Sequence, residues 1–226
     1  MKFKAIAKAS LALGMLATGV ITSNVQSVQA KTEVKQQSEA DLKLYYSGPS
    51  FEHKKVTGFK YTDEKGSFFE FIDRGQFNKV SLVGPDKDKL NDGDNSGLDV
   101  FVVREGYGRQ ADNHSIGGVT KTNRQSYFDQ INTPILEIKN DSEDLYKGYH
   151  LIFKEDISLK ELDYRLRERA IKQYGLYSNG LKQGQITITM NDGTTHTIDL
   201  SQKLEKERMG ESIDGRQIQK ILVEIK

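Results

Sequence analysis

The sequence predicts an α+β fold in two parts, a strand-rich half followed by a half built around one long amphipathic helix. Three observations predict it. Up to about Thr133, short apolar runs alternate with polar residues and are separated by turn signals. Between Ser158 and Tyr174, leucines recur at helical spacing. After Gly175 the two-residue alternation returns and continues to Ile225. Strands in a row suggest a small barrel or sandwich. A single apolar-striped helix among strands packs on a mixed sheet.

A short helix is expected from about Ser38 to Tyr46, with Leu42 and Tyr45 or Tyr46 on its buried side. Val56 to Tyr61 and Phe68 to Ile72 read as strands split by the turn Asp63-Glu64-Lys65-Gly66. Val80 and Leu82 alternate in a third strand that ends at Gly84-Pro85. Asp86 to Gly97 reads as a charged loop, and Leu98 to Val103 as a nearly continuous apolar strand. In the second half, Ile135 to Ile138 and Tyr149 to Phe153 are expected strands. The helix follows, with Ser158 and Glu161 as a capping box and Leu159, Leu162, Leu166 and Ala170 as its stripe. Gly175 is placed to end it. Ile186, Ile188 and Met190 should point inward and Thr187 and Thr189 outward. Asn191-Asp192-Gly193 turns the chain into Thr194 to Leu200, and Ile221, Val223 and Ile225 share one face of the last strand. The domains are expected at 31–133 and 134–226.

Residues 1–30 read as an export signal. Lys2, Lys4 and Lys8 precede an uncharged run from Ala9 to Ile21, and Val28-Gln29-Ala30 suits a signal peptidase. The run is shorter than the roughly 20 apolar residues a membrane span requires. The expected product, Lys31 to Lys226, is therefore secreted and extracellular, with no membrane insertion. Removing the signal lysines leaves 30 basic against 32 acidic side chains. That balance argues against nucleic acid as a partner, which needs a cationic surplus. The Phe68, Phe69 and Phe71 rings are expected to fill the barrel rather than stack on bases. Cysteine is absent, which excludes disulfides, thiol nucleophiles and cysteine-bound zinc.

The stretch from Lys154 through Leu162, Asp163, Arg167 and Ala170 to Leu176-Tyr177 closely resembles the second signature of staphylococcal and streptococcal superantigen toxins. Ala170 replaces the usual leucine. Ile116-Gly117-Gly118-Val119-Thr120-Lys121-Thr122-Asn123 resembles the first signature, with Ile116 for the usual tyrosine and the asparagine placed early. These departures, the missing cysteine pair and the closing Glu207–Gly210 and Ile213–Arg216 segments look more like the staphylococcal superantigen-like (exotoxin-like) proteins. That resemblance implies an N-terminal OB-fold β-barrel and a C-terminal β-grasp domain. It also implies immune evasion by binding, without catalysis or a cofactor. The partners it implies are immunoglobulins, complement components, leukocyte receptors, matrix proteins, host proteases or sialylated glycoproteins.

Both signatures read as architecture. Asp163 and Arg167 are spaced to support the helix by a few tenths of a kcal/mol, and Gly117 and Gly118 suit a close backbone approach between domains. The glycan site that the resemblance implies falls on Thr195, Thr197 and Asp199, outward by alternation from Ile198. Arg216 would meet a sialic carboxylate. The aromatic residues expected before the threonine are Thr195 and His196 here. Tyr107, Arg109 and Tyr127, in or near turns, are candidate protein-binding anchors. No metal is expected. Asp92 to Gly97 resembles the start of a calcium loop, but its twelfth position is Val103, and His196 and Asp199 point to opposite faces of a strand. No nucleophile elbow, phosphate loop or HExxH motif is present. The expected function is a secreted non-enzymatic virulence factor that binds a host immune or matrix protein. The alternatives are a sialoglycan lectin, a host protease inhibitor, or a true superantigen bridging MHC class II and T-cell receptor.

Overall fold

A short capped helix leads the described part of the chain. The computed structural model describes residues 37–105, 113–121, 129–141, 143–181 and 183–226. The expected export signal lies outside these, as do Asn123, Tyr107, Arg109 and Tyr127. In α1 (Glu39–Tyr46), Ser38 Oγ accepts from Asp41 N at 3.1 Å while the Asp41 carboxylate accepts from Ser38 N at 3.4 Å. Leu42 and Tyr46 are its buried residues.

Six strands follow: β1 (Ser50–Asp63), β2 (Gly66–Asp73), β3 (Gln76–Leu82), β4 (Gly93–Val103), β5 (Asn113–Ile116) and β6 (Val119–Lys121). They pair in the order β5-β3-β2-β1-β4-β6. The long β1 pairs with β2 on one side and β4 on the other, and register shifts between His53 and Gly58 bend it. The sheet curls until β5 returns beside β4, where Glu105 N donates to His114 O at 2.8 Å. The result is a barrel filled by Val56, Phe69, Phe71, Val80, Leu82, Leu98, Val100 and their neighbours.

The expected loop at Asp86–Gly97 is largely ordered. Asp86–Lys89 forms a helical turn, α2, started by Pro85 with its φ of −62°. Gly93 to Asn95 already pairs with Gly58 to Lys60 of β1. Of the three phenylalanines, Phe69 and Phe71 lie inside the barrel, but Phe68 lies outside, where the Lys79 ammonium sits 4.2 Å from its ring centre.

The second half contains, in chain order, β7 (Ile135–Asn140), β8 (Glu143–Tyr149), β9 (Asp156–Ser158), α3 (Leu159–Tyr174), β10 (Gly184–Met190), β11 (Thr195–Asp199), β12 (Ser212–Asp214) and β13 (Ile218–Ile225). Five strands form a mixed sheet ordered β11-β10-β13-β7-β8, with β13 and β7 parallel, and β9 pairs with β12 apart from it. The expected strand at Tyr149–Phe153 is displaced. β8 ends at Tyr149, and beyond it only an isolated bridge joins Ile152 to Asn132. The segment opposite, just before β7, contains Pro134, which has no N–H with which to continue the ladder.

Helix α3 lays Leu159, Leu162, Leu166 and Ala170 against Ile186, Ile188, Ile221, Val223, Ile225, Leu136 and Ile138. Each fully buried leucine contributes roughly 1.5–3 kcal/mol. Gly175 ends the helix with φ +74°. The capping box at its start is only half made. Ser158 Oγ accepts from Glu161 N at 3.1 Å, but the Glu161 carboxylate turns to Lys154 at 2.7 Å and Arg165 at 2.9 Å. Charge-assisted bonds win over a neutral backbone donor.

β4 explains how the halves join. All six residues from Leu98 to Val103 are buried. Leu98, Val100 and Val102 face the barrel core, while Phe101 and Val103 belong to the core around α3. A strand covered on both faces reads as a continuous apolar run. Polar contacts fasten the same junction. Gly118 N donates to Met209 O at 2.8 Å, Lys160 Nζ donates to Ser115 Oγ at 2.7 Å and Ile116 O at 2.6 Å, and Lys89 Nζ reaches Gly210 O at 3.1 Å.

Asp86 is buried at this junction with Lys89 at 3.1 Å, and burial pushes its carboxyl up to about 7 against the pull of that lysine. A carboxyl easier to protonate folded than unfolded stabilises fully below the unfolded value, and the contribution is lost as pH rises through the folded one. Wild type should therefore gain on the order of 2–4 kcal/mol relative to Asp86→Asn as pH falls from about 7.5 to about 4. Urea unfolding of both proteins across that range checks this, and parallel pH profiles would refute it.

Candidate binding surfaces

Two surfaces expose chemistry that the core does not consume. The first is a groove of about 720 Å³ between β1, the segment after β8 and the outer side of α3. Past Tyr149 the chain remains extended, with Ile152 buried and Tyr149, Leu151 and Phe153 exposed by 66%, 51% and 39%. Alternation explains the pattern, since one side chain in two faces the core.

The wall opposite is charged. Lys154 Nζ bridges Glu161 at 2.7 Å and Glu52 at 3.0 Å, and Arg165 bridges the same carboxylates at 2.9 and 3.1 Å. Burial alone would push the Lys154 ammonium down, but Glu161 and Glu52 hold it above the usual lysine range. Arg169 lies with its guanidinium carbon 4.1 Å from the Tyr146 ring centre. Burial, together with Arg169 and Arg165, pushes the His150 imidazole down to about 4, so it is neutral at physiological pH.

The second surface is the β11 edge of the five-stranded sheet. Ile198 is buried and Thr195, Thr197 and Asp199 are exposed. Asp199 is partly committed to the turn after it, accepting from Ser201 N at 2.8 Å. Arg216 follows β12, and its guanidinium grips Asp214 through three bonds at 2.9, 3.2 and 2.8 Å. Across the sheet, Thr197 is level with Thr187 and Leu222, not with the start of β13 where Arg216 lies. The arginine that reaches Thr197 is Arg208, whose guanidinium donates to the Thr197 carbonyl at 2.7 Å. No spacing rule points to it, because it comes from the 3-10 turn Lys206–Gly210 beyond an irregular segment.

Of the described signature residues, Gly117, Gly118, Thr120, Lys154, Leu162, Asp163, Arg167 and Tyr177 are buried. Arg167 donates to Asp163 at 2.5 Å, to the Asp199, Leu200 and Gln202 carbonyls at 2.8, 3.1 and 2.9 Å, and to the Tyr177 hydroxyl. Tyr46 OH donates to Asp163 at 2.6 Å. Both partners of the pair are buried, so it is not the surface pair worth a few tenths of a kcal/mol that its spacing suggests. Thr120 is buried and donates to Asp99 O at 3.4 Å. Among the described residues, no group of three His, Asp or Glu side chains could hold a metal ion, and no helix is long and apolar enough to cross a membrane.

A barrel joined through a shared strand to a helix-backed sheet is the architecture of the two-domain staphylococcal and streptococcal toxins. Residues 40–123 match the staphylococcal superantigen-like OB-fold domain, and residues 133–225 match the staphylococcal/streptococcal toxin β-grasp domain. The chain belongs to the staphylococcal superantigen-like proteins. It is 74% identical to Staphylococcal superantigen-like 1 of Staphylococcus aureus (strain Newman), over the whole of both chains. The solved structure of exotoxin 6 from Staphylococcus aureus subsp. aureus Mu50 is 68% identical, with TM-score 0.81, covering 84% of this chain and 100% of that one. Staphylococcal superantigen-like protein SSL5, solved with sialyl Lewis X, is 38% identical with TM-score 0.77, covering 84% of this chain and 100% of that one.

Proposed function

We propose that this chain is a secreted, non-catalytic virulence factor that binds host extracellular proteins to blunt immunity. The observation that carries the reading is the row Tyr149, Leu151 and Phe153 facing Arg165 and Arg169. Exposed aromatic and arginine side chains are the usual anchors of protein interfaces. The burial of β4 between the two cores supports it, since surfaces fixed before binding lose less entropy on association.

A second reading is a sialylated-glycan lectin at the β11 edge. It is favoured by the sialyl Lewis X bound to SSL5 and by Arg208 lying against Thr197. Here Thr195, Thr197 and Asp199 would face the sugar, and Arg208 rather than Arg216 supplies the adjacent cation.

One experiment separates the two. The chain is used to capture partners from plasma and from leukocyte lysate, with and without sialidase treatment. The protein-binding reading expects a saturable partner whose capture survives sialidase. Capture abolished by sialidase and by Arg208→Ala supports the lectin, and no saturable partner from either source sinks both.

A further inference from the structure

The groove carries enough pattern to define what fits it, an inference that rests on the protein-binding reading above. His150 N donates to Pro134 O at 3.0 Å and Ile152 N to Asn132 O at 2.9 Å, while Ile152 O accepts from Ile131 N at 2.9 Å. In an extended chain successive residues turn their backbone groups to opposite sides. The Leu151 N–H and C=O therefore face away from 131–134, along the outer edge that continues β8, itself the last strand of its sheet. An added strand could pair there, as extended peptides do at sheet edges.

Side chains and charge narrow the occupant further. Tyr149, Leu151 and Phe153 form a row on one face of the extended segment, suited to apolar side chains at every second position of a guest. The groove lining carries four cations, Lys54, Lys154, Arg165 and Arg169, against two carboxylates, Glu52 and Glu161. His150 is neutral at physiological pH and does not alter that balance. The surplus is positive although the chain as a whole is near neutral, so the complement is acidic. Arg169 packs over the Tyr146 ring, which sets its guanidinium in place before a ligand arrives.

We propose that this groove takes an extended, acidic segment of a partner protein, added as a strand beside Leu151 with alternate apolar residues against Tyr149, Leu151 and Phe153. The probe is a fluorescein-labelled peptide alternating valine and glutamate, compared with one alternating valine and lysine, by fluorescence polarisation with the full chain. The glutamate peptide should bind at least about tenfold more tightly than the lysine peptide. Arg169→Glu should shrink or reverse that ratio, since charge reversal weakens one peptide and strengthens the other. Leu151→Asp should weaken the glutamate peptide, and Thr197→Pro should leave it unchanged. Equal affinities, no binding of either peptide, or a ratio untouched by Arg169→Glu would overturn the assignment. If a plasma or lysate partner is captured equally by wild type, Arg169→Glu and Leu151→Asp, the groove assignment fails while the protein-binding reading stands. No partner from either source fails that reading itself.

Discussion

Replacing Arg167 by methionine should lower the unfolding free energy by about 3–5 kcal/mol, although the side chain touches no exposed surface. Methionine preserves much of the apolar stem but removes every donor. Asp163 is then left buried with only Tyr46 OH, at 2.6 Å, as a side-chain donor. The carbonyls of Asp199, Leu200 and Gln202 lose the guanidinium bonds that cap the end of β11. A buried charge without its partner costs far more than the net value of the pair, so Arg167→Met with Asp163→Leu should recover part of the loss. Thermal and urea unfolding of the three proteins checks both statements, with a melting point lower by roughly 10 °C for the single variant. A loss below about 1 kcal/mol would mean that the pair behaves as a solvated surface bridge.

That pair also shows where sequence reading stops. Spacing of four residues places Asp163 and Arg167 together, but an i,i+4 pair looks the same in sequence whether solvated or buried. The deciding partners come from elsewhere: Tyr46 lies 117 positions from Asp163 and the Leu200 carbonyl 33 from Arg167. The outline of the fold was far more legible. Helix α3, its glycine stop, the alternation of β10 and the two-part architecture follow from periodicity, because a period of 3.6 or 2 is written along the chain itself. The same rule misplaced Tyr149–Phe153, whose alternation is real but turns Tyr149, Leu151 and Phe153 outward and only Ile152 inward. Periodicity reports a two-sided segment, and only the packing tells which side is wet. For the β11 edge, alternation put Thr195, Thr197 and Asp199 outward. The arginine that contacts Thr197 was not legible, because Arg208 arrives there through an irregular turn and Arg216 is held by Asp214.

Gly117→Ala should be among the most damaging single-methyl additions in the chain, costing about 3 kcal/mol or more. Two independent penalties meet there. Gly117 has φ +57°, where a side chain is strained. A Cβ at this position would also lie 2.4 Å from the Met209 carbonyl oxygen, 2.5 Å from its carbon and 2.9 Å from Gly210 N. These are backbone atoms and cannot swing aside as a side-chain tip would. The next residue, Gly118, donates to that same Met209 carbonyl at 2.8 Å, so relieving the clash pulls apart the contact that joins the barrel to the 3-10 turn. Gly193 separates the two penalties. Its φ is +83°, yet a Cβ there meets nothing within 4 Å, so Gly193→Ala carries only the conformational cost of roughly 1–2 kcal/mol. Denaturant unfolding of both variants should place Gly117→Ala well below Gly193→Ala. Equal losses would show that the junction can open by an ångström without penalty, and the two sheets could then no longer be treated as rigidly joined through the backbone at Gly117 and Met209.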